Sequence, residues 1–233
     1  MSPDLSDLGG FAPRAWPGTE PMDGRFVRVE PIVDKGRFDE LYDAFAADRS
    51  GRIFDYMSYG PFADREAFHS FARDIYLSGD MRFHALVPAS TGRAGGVAAL
   101  MRADRGNGVI EIGHICLAPS LQQTAAASEA LFLILDRALG ELGYRRLEWK
   151  CNDANLASRR AAERLGFRYE GTFRQHMIVK GCNRDTAWFS IVDSEWPAIR
   201  EGFEAWLAPD NIDADGRQRR RLEEMRVPPT EGG

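Results

Sequence analysis

The sequence predicts an α/β domain with a mostly antiparallel sheet of about six or seven strands, and three observations support this prediction. Strand-like and helix-like segments alternate along most of the chain, as in a sheet covered by helices. Two pairs of strand-like segments are joined by short Gly-containing turns, which indicates antiparallel hairpins. One long segment, 122–142, is apolar on most faces, which is typical of a helix packed tightly on a sheet.

The first half of the chain predicts two helices and four strands. Apolar and polar residues alternate over 25–30, and apolar residues recur at helical spacing over 34–48. A second helix is expected at 64–77, with Asp64 as its N-cap. Longer strand-like runs follow at 82–87, 95–102 and 109–117, the last two joined by a turn at 104–108.

The second half predicts a return to the sheet after the long apolar helix. A strand at 145–150 leads into a helix at 155–165, where Asn155 is a candidate N-cap and Gly166 a candidate C-cap. The remaining elements are a hairpin of strands at 167–179 and 184–192, turning at Lys180 and Gly181, and a helix at 195–207.

These elements divide the chain into three parts. Residues 1–24 predict an irregular arm, because Pro and Gly interrupt any period there. Residues 25–207 predict one folded domain, and residues 208–233 a polar tail. The tail carries Arg217, Arg219, Arg220 and Arg221 beside Glu223 and Glu224. This mixture favours a solvated helix face over a nucleic-acid patch.

Composition excludes several classes of function. The formal net charge is −5, from 30 basic and 35 acidic side chains, so we expect neither nucleic acid nor membrane as a partner. The three cysteines form no Cys-x-x-Cys pair and no His/Cys cluster, which argues against a metal site. The start of the chain does not have the pattern of a signal peptide. A cytoplasmic location is expected. The sequence does not decide between a monomer and a homodimer.

Two strand-to-helix turns carry the chemical information. The strand that contains Glu111 stops at Pro119 and turns into a helix whose first residues, 125–128, are small. Such a helix start offers unpaired amides and a positive dipole end to a phosphate. A second turn of this kind begins at Asn155. Small residues and caps are also common packing devices, so each turn alone is weak support for a binding site.

Together, the two turns resemble the central motifs of the GNAT N-acetyltransferases, closest to the branch of ribosomal-protein N-terminal (RimJ/RimL-like) enzymes. The first match is Gln122-x-x-Ala125-x-Ala127, and the second is Asn155-x-x-Ser158 followed by Leu165-Gly166-Phe167. The resemblance covers about residues 24–207. It implies a mixed, mostly antiparallel central sheet with helices on both faces, the GNAT acyltransferase fold.

The resemblance also implies acetyl-CoA as cosubstrate and a set of coenzyme contacts. The residues that would hold it are Ile115, Leu117, Gln122, Gln123, Thr124, Ala125, Ala126, Ala127, Ser128, Asn155 and Ser158. One departure is Ala125, where the family has glycine. Alanine would be strained at a positive φ, so coenzyme binding requires this loop to be helical from about residue 123.

Glu111 is the candidate general base, because GNAT members with a glutamate base carry it at the matching separation from this helix. Burial at the sheet centre would raise its pKa toward the working range. The alternative is that Glu111 faces solvent or pairs with an arginine across the hairpin. In an ideal strand His114 points to the opposite face, so it and Glu111 could reach one substrate only if a bulge intervened. Ile115 and Leu117 share the face of Glu111.

The acid for the departing thiolate is not assigned. Many members of the family place a tyrosine where this chain has Ala162, so the role would pass to Ser158, to a water or to no residue. Cys151 could form an acetyl-cysteine intermediate, but a buried thiol explains it better.

An aromatic loop, residues 54–62, would lie over the acceptor side. Its Asp55, Tyr56 and Tyr59 are candidate substrate contacts, although a hydrophobic lid explains the aromatic residues equally well.

The sequence therefore predicts an acetyl-CoA-dependent N-acetyltransferase that acts by direct attack in a ternary complex. The acceptor would be a primary amine, either a protein N-terminus or a small molecule, since an α-amine loses its proton more easily than a lysine does. The alternative is a non-catalytic acyl-CoA-binding sensor with the same fold, favoured by Ala125 and Ala162.

Overall fold

The computed structural model describes residue 8, residues 10–213 and residues 217–226. The strands are β1 Met22–Asp23, β2 Val27–Pro31, β3 Arg82–Pro88, β4 Gly96–Asp104, β5 Val109–Leu117, β6 Arg146–Asn152, β7 Arg168–Val179 and β8 Cys182–Val192. The helices are α1 Phe38–Ala46, α2 Arg65–Tyr76, α3 Ala125–Asp136, α4 Leu156–Leu165, α5 Trp196–Leu207 and α6 Leu222–Met225.

The described part of the chain forms one eight-stranded sheet in the order β1-β2-β3-β4-β5-β6-β8-β7. Neighbouring strands in it run antiparallel, except that β5 and β6 are parallel. The predicted mixed, mostly antiparallel sheet is therefore confirmed. The additional strand is β1, which lies inside the segment predicted to be irregular.

Helices cover both faces of the sheet, as expected. The α1 and α2 helices close an aromatic-rich cluster on one face; its members include Phe38, Phe68, Phe83, Val97 and Cys116. On the other face α3 and α5 close a second cluster, which includes Ile110, Leu135, Trp149, Phe189 and Phe203. These side chains are almost fully buried, so each face contributes a large apolar area to stability.

The long apolar helix is shorter than predicted. Instead of running over 122–142, it begins at Ala125 and ends as a regular helix at Asp136, with one wider turn over Arg137–Glu141. The reason for the late start is local, because Gln123 has a left-handed backbone with φ of 59° and Thr124 is extended.

The arm is held against the sheet by specific contacts. The Tyr144 hydroxyl donates to the Ala15 carbonyl at 3.0 Å. The Arg14 amide donates to the Arg105 carbonyl, also at 3.0 Å. Where the arm meets β2, the buried Glu129 carboxylate accepts the amides of residues 25, 26 and 27. Most of the arm is irregular, but β1 pairs with β2 and Met22 joins the core.

The described parts of the expected polar tail, residues 209–213 and 217–226, pack back onto the domain. Leu222 is 1% exposed and belongs to the second cluster, on the face covered by α3 and α5. The buried Asn211 side chain donates to the Trp206 carbonyl at 2.8 Å. The tail arginines are exposed, as predicted, but they precede α6 and do not lie on a helix. Leu222 and Met225 pack the segment against the core.

Candidate active site

The sheet opens between β5 and β6. These parallel strands pair over Val109–Ile112 and Arg146–Trp149. Further along, β5 pairs only with β4, and β6 pairs only with β8. The strands β5 and β6 therefore diverge. A cleft forms at their carboxyl ends, and the helices α3 and α4 begin there. Carboxyl ends of parallel strands are where α/β proteins place their ligands.

A bulge in β5 changes which side chains face this cleft. Ala99 pairs with Gly113 and Val97 pairs with Cys116, so His114 and Ile115 together oppose one residue of β4. His114 has a left-handed backbone with φ of 49°, a conformation that one class of bulge uses, normally with glycine.

The predicted face assignments on β5 were wrong because of this bulge. Ile110 and Ile112 belong to the second cluster, on the sheet face covered by α3 and α5, so Glu111 points to the other face of the sheet. After the bulge, Ile115 and Leu117 pack against this second cluster. His114 instead lines the cleft together with Glu111.

The start of α3, which follows the carboxyl end of β5, offers unpaired amides. Thr124 is the N-cap, and its hydroxyl accepts from the Ala127 amide at 3.1 Å. Among the described residues, no acceptor lies on the amides of Ala125 and Ala126. The α3 helix begins at Ala125, two residues later than position 123, from which coenzyme binding was expected to require a helix. Ala125 is nevertheless inside the helix, and the positive φ falls on Gln123, so alanine is not strained there.

The neighbouring predicted coenzyme residues tie this turn to the rest of the fold. The exposed Gln122 side chain donates to the Leu117 carbonyl at 3.0 Å. The Ser128 hydroxyl is buried and accepts from Arg164 of α4 at 3.0 Å. Gln123 is exposed. The first predicted motif is therefore one connected turn at the end of β5.

The second motif lies beside the first across the opening. Asn155 caps α4 by accepting the Ser158 amide at 3.0 Å, and Gly166 ends the helix with φ of 107°, so both predicted caps are confirmed. The Ser158 hydroxyl accepts from the Trp149 indole at 3.0 Å and lines the cleft. Ala162, one turn further along, is fully buried.

Glu111 lies deep in the cleft between two cations. It is 2% exposed, and its oxygens accept from Arg102 Nη1 at 2.9 and 3.1 Å. Lys150 Nζ donates to it at 2.8 Å and also contacts Glu148 at 2.8 Å. The pairing with an arginine across the hairpin, left open by the sequence, is present together with a lysine that the sequence analysis did not include.

The aromatic loop spans the cleft and is tied on both sides. The Tyr56 hydroxyl donates to the Ala154 carbonyl at 3.2 Å, and Lys180 at the hairpin tip donates to the Phe54 carbonyl at 2.9 Å. Tyr56 lines the cleft, whereas Asp55 is exposed and does not. Tyr59 lies behind the lining, stacked on the His114 ring at 5.7 Å between centroids.

Burial keeps two other cleft side chains uncharged. It lowers the pKa of His114 to about 4, with Arg102 adding to the effect, so the imidazole is neutral at neutral pH. Burial also raises the pKa of the Cys151 thiol. A protonated thiol is a poor nucleophile, which agrees with the preference for a buried thiol over an acetyl-cysteine.

Several cleft residues were missed by sequence reasoning: Arg102, Lys150, His176, Met177 and Arg184. They come from β4, β6, β7 and β8, far apart in the chain. One available signal was the alternation in β8, where Ala187, Phe189 and Ile191 enter the core. Arg184, Thr186 and Trp188 must then lie on the other face.

The described residues contain no helix long and apolar enough to cross a membrane. They also contain no group of three or more His, Cys, Asp or Glu residues placed to hold a metal ion.

Comparison with known proteins gives concordant matches. A family model described as an acetyltransferase (GNAT) domain matches residues 28–168. The crystal structure of a GCN5-related N-acetyltransferase from Brucella melitensis superposes with a TM-score of 0.91 and 46% identity, covering 94% of this chain and 99% of that one. An uncharacterized N-acetyltransferase, p20, from Bacillus licheniformis is 27% identical over 62% of this chain and 82% of its own length.

The fold is also similar to that of a RimL ribosomal L7/L12 alpha-N-protein acetyltransferase. The TM-score is 0.64 and the identity 17%, covering 74% of this chain and 94% of that chain. At this identity the likeness is one of fold.

Proposed function

The chain belongs to the GNAT acetyltransferase family, and from this premise we propose that it transfers the acetyl group of acetyl-CoA to a primary amine by direct attack in a ternary complex. The recognised resemblance is thus confirmed at the level of the family. Two observations carry the proposal: the cleft between β5 and β6, which contains the buried Glu111, and the free amides at the start of the helix that follows β5.

The residues at the start of α3 fit the pyrophosphate of the coenzyme. Ala125 and Ala126 present amides that are not used within the described fold, and their small side chains let a bulky anion approach the backbone. The positive end of a helix dipole stabilises such an anion further. The splayed edge of β5, at Ile115 and Leu117, and the α4 residues Asn155 and Ser158 would hold the pantetheine arm.

The acceptor amine must be in its neutral form when it attacks the thioester of acetyl-CoA. Deprotonation at pH 7 costs roughly 1 kcal/mol for an α-amine of pKa near 8, and over 4 for a lysine. Arg102, Lys150 and Arg184 line the cleft, and positive charges disfavour the ammonium form of a bound amine. An N-terminal or small-molecule amine of low pKa is therefore favoured as acceptor.

Glu111 is proposed to receive the amine proton, directly or through a water molecule. Its charge is compensated by Arg102 and Lys150. Oε2 accepts from both cations, whereas Oε1 accepts only from Arg102 and has one lone pair that can still accept a hydrogen bond. His114 lies on the same face of β5, neutral, and can complete the path of the proton. On the opposite wall, Ser158 accepts from Trp149, so its own O–H can be directed at the departing sulfur.

A second candidate function, an acyl-CoA-binding sensor without turnover, is favoured by one observation. Glu111 is already bonded by two cations, so less of its carboxylate is free to contact a substrate amine. In the sensor, coenzyme binding would be retained and the charge network would be structural only.

Calorimetry with acetyl-CoA and a thiol-release assay with a panel of primary amines separate these functions. The proposed enzyme binds acetyl-CoA and releases CoA thiol when an amine is added. Binding with no thiol release for any amine would favour the sensor. Absence of binding near millimolar acetyl-CoA would contradict both.

A further inference from the structure

Arg184 has an unusual position among the charged residues of the cleft. It lies near the start of β8, opposite Met177 of β7, and its side chain lines the cleft. The guanidinium is half-buried, and the charges of Glu111 and Arg102 act on it. It therefore faces the end of the cleft at which the amine would be deprotonated.

This guanidinium has no partner among the described residues. No ion pair or hydrogen bond reaches it, and its Nε is buried without an acceptor. Arg14 also has a buried Nε without an acceptor, but its guanidinium lies over the Phe11 ring. Arg137, whose Nε is buried as well, has an ion pair through this atom to Glu141 at 2.7 Å. Burial without a partner lowers the pKa of Arg184, but an arginine stays protonated in proteins.

The neighbouring charges do not compensate it. Among the described residues, a network of ion pairs links Arg102, Glu111, Lys150, Glu148, Arg146 and Glu170. These side chains are three cations and three carboxylates, so this network has no net charge. Arg184 adds one positive charge that is partly shielded from water. An uncompensated, partly desolvated charge destabilises a protein unless a ligand compensates it.

We propose that Arg184 binds a carboxylate carried by the acceptor amine, so that the substrate is an amino acid or a peptide whose first residue is acidic. This inference rests on the proposed acetyl transfer. The planar guanidinium matches a carboxylate with two parallel hydrogen bonds, and a single excess charge matches a single carboxylate. The same charge disfavours simple cationic amines that bring no anion with them.

The first experiment compares matched acceptors by initial rates of thiol release. Each free amino acid is paired with its carboxamide, and N-terminal Asp and Glu dipeptide amides are paired with the Asn and Gln ones. We expect at least a tenfold higher kcat/KM for the carboxylate member of the productive pair, mainly through KM. The pair that shows the preference identifies whether the carboxylate is that of an amino acid or of an acidic first residue.

The second experiment uses Arg184→Gln and the matched control Arg174→Gln, which removes an exposed arginine from the neighbouring strand, outside the cleft. Arg184→Gln should abolish the carboxylate preference, and Arg184→Lys should retain part of it. Arg174→Gln should leave it intact. Because Arg184 has no partner to lose, Arg184→Gln should unfold at the same temperature as the parent protein or a higher one.

A readout without turnover makes the test independent of catalysis. Calorimetric binding of an unreactive N-acetylated product should weaken at least tenfold in Arg184→Gln, while the acetyl-CoA dissociation constant stays unchanged. Thiol release that is equal for carboxylate and carboxamide acceptors, and insensitive to Arg184, would overturn this inference and leave the acetyltransferase intact. A weakened acetyl-CoA affinity would also overturn it, by placing Arg184 on the coenzyme. Absence of turnover with every amine would instead count against the proposed function.

Discussion

The two ends of the cleft are built differently. The end proposed to bind the coenzyme, here called the coenzyme end, consists of backbone amides and caps, where Thr124 and Asn155 each organise a helix start within four residues of chain. The end proposed to bind the acceptor, here called the acceptor end, consists of charged side chains that β4, β5, β6 and β8 bring together over more than eighty positions of the sequence. The first end depends on local conformation and the second on strand register.

This difference predicts how each end responds to substitution. A backbone site tolerates changes of side chain that keep it small and uncharged, because the binding groups are amides. A network of buried charges does not tolerate the loss of one member, since removing a partner leaves an uncompensated charge behind. Substitutions at the two ends should therefore change different measured quantities.

The largest effect is expected at Glu111. Glu111→Gln keeps the shape but not the charge, and loss of a proton acceptor should lower kcat by about 100-fold or more. The acetyl-CoA dissociation constant should stay nearly unchanged, because the coenzyme end is separate. Glu148→Gln is the comparison variant, since it touches the same lysine from outside the cleft and should have a much smaller effect. An unaltered kcat and pH–rate profile in Glu111→Gln would remove this carboxylate from the mechanism.

The next effect in size is expected at the start of α3. Ala125→Asp places a negative charge beside the coenzyme phosphates, and repulsion at ~5 Å is worth about 3 kcal/mol at an effective dielectric constant of 20, roughly a 100-fold loss of acetyl-CoA affinity. Ala125→Asn has nearly the same bulk and should lose much less. Thermal stability should not fall, because a carboxylate suits a helix N-terminus. Equal losses in calorimetry for Asp and Asn would mean that bulk, rather than charge, decides binding.

A smaller effect concerns the stability of the cleft in acid. The folded pKa of His114 is about 4, below its unfolded value of about 6.5, so the unfolded chain takes up the proton first. The stability contributed by the neutral imidazole is present above pH 6.5 and is lost as the pH falls toward 4, at about 1.4 kcal/mol per pH unit. His84, with a pKa of about 3, adds a second loss of the same sign.

His114→Asn should therefore have a shallower dependence of unfolding free energy on pH than the parent protein. Asparagine tolerates the left-handed backbone at this position. Urea unfolding between pH 4.5 and 6.5 measures the slope. Identical slopes for the variant and the parent protein would show that His114 does not change protonation on unfolding in this range.

The smallest expected effect is the loss of a single cap. Thr124→Ala removes the hydroxyl that accepts from the Ala127 amide and should cost about 1 kcal/mol of unfolding free energy. Thr124→Ser retains the acceptor and should cost little. If the two variants were equally stable, the hydroxyl would contribute nothing to the helix start.

The same division explains what could be predicted from the sequence. Asn155 and Gly166 were identified correctly, because a cap is specified by a few adjacent residues. The bulge at His114 was left open as an alternative but could not be placed, since strand periodicity assumes a regular pleat. Arg184 was missed because its relation to Glu111 depends on the register of three strands. Leu222 was assigned to a polar tail because one apolar residue in a charged segment gives no periodic signal.

Direct transfer within one cleft is tested most directly by initial rates with acetyl-CoA and the acceptor amine both varied. A ternary complex predicts intersecting lines in double-reciprocal plots. It also predicts that mass spectrometry finds no acetyl group on Cys151 after incubation with acetyl-CoA alone. Parallel lines together with an acetylated Cys151 would contradict the account, because they would show transfer in two steps through the enzyme.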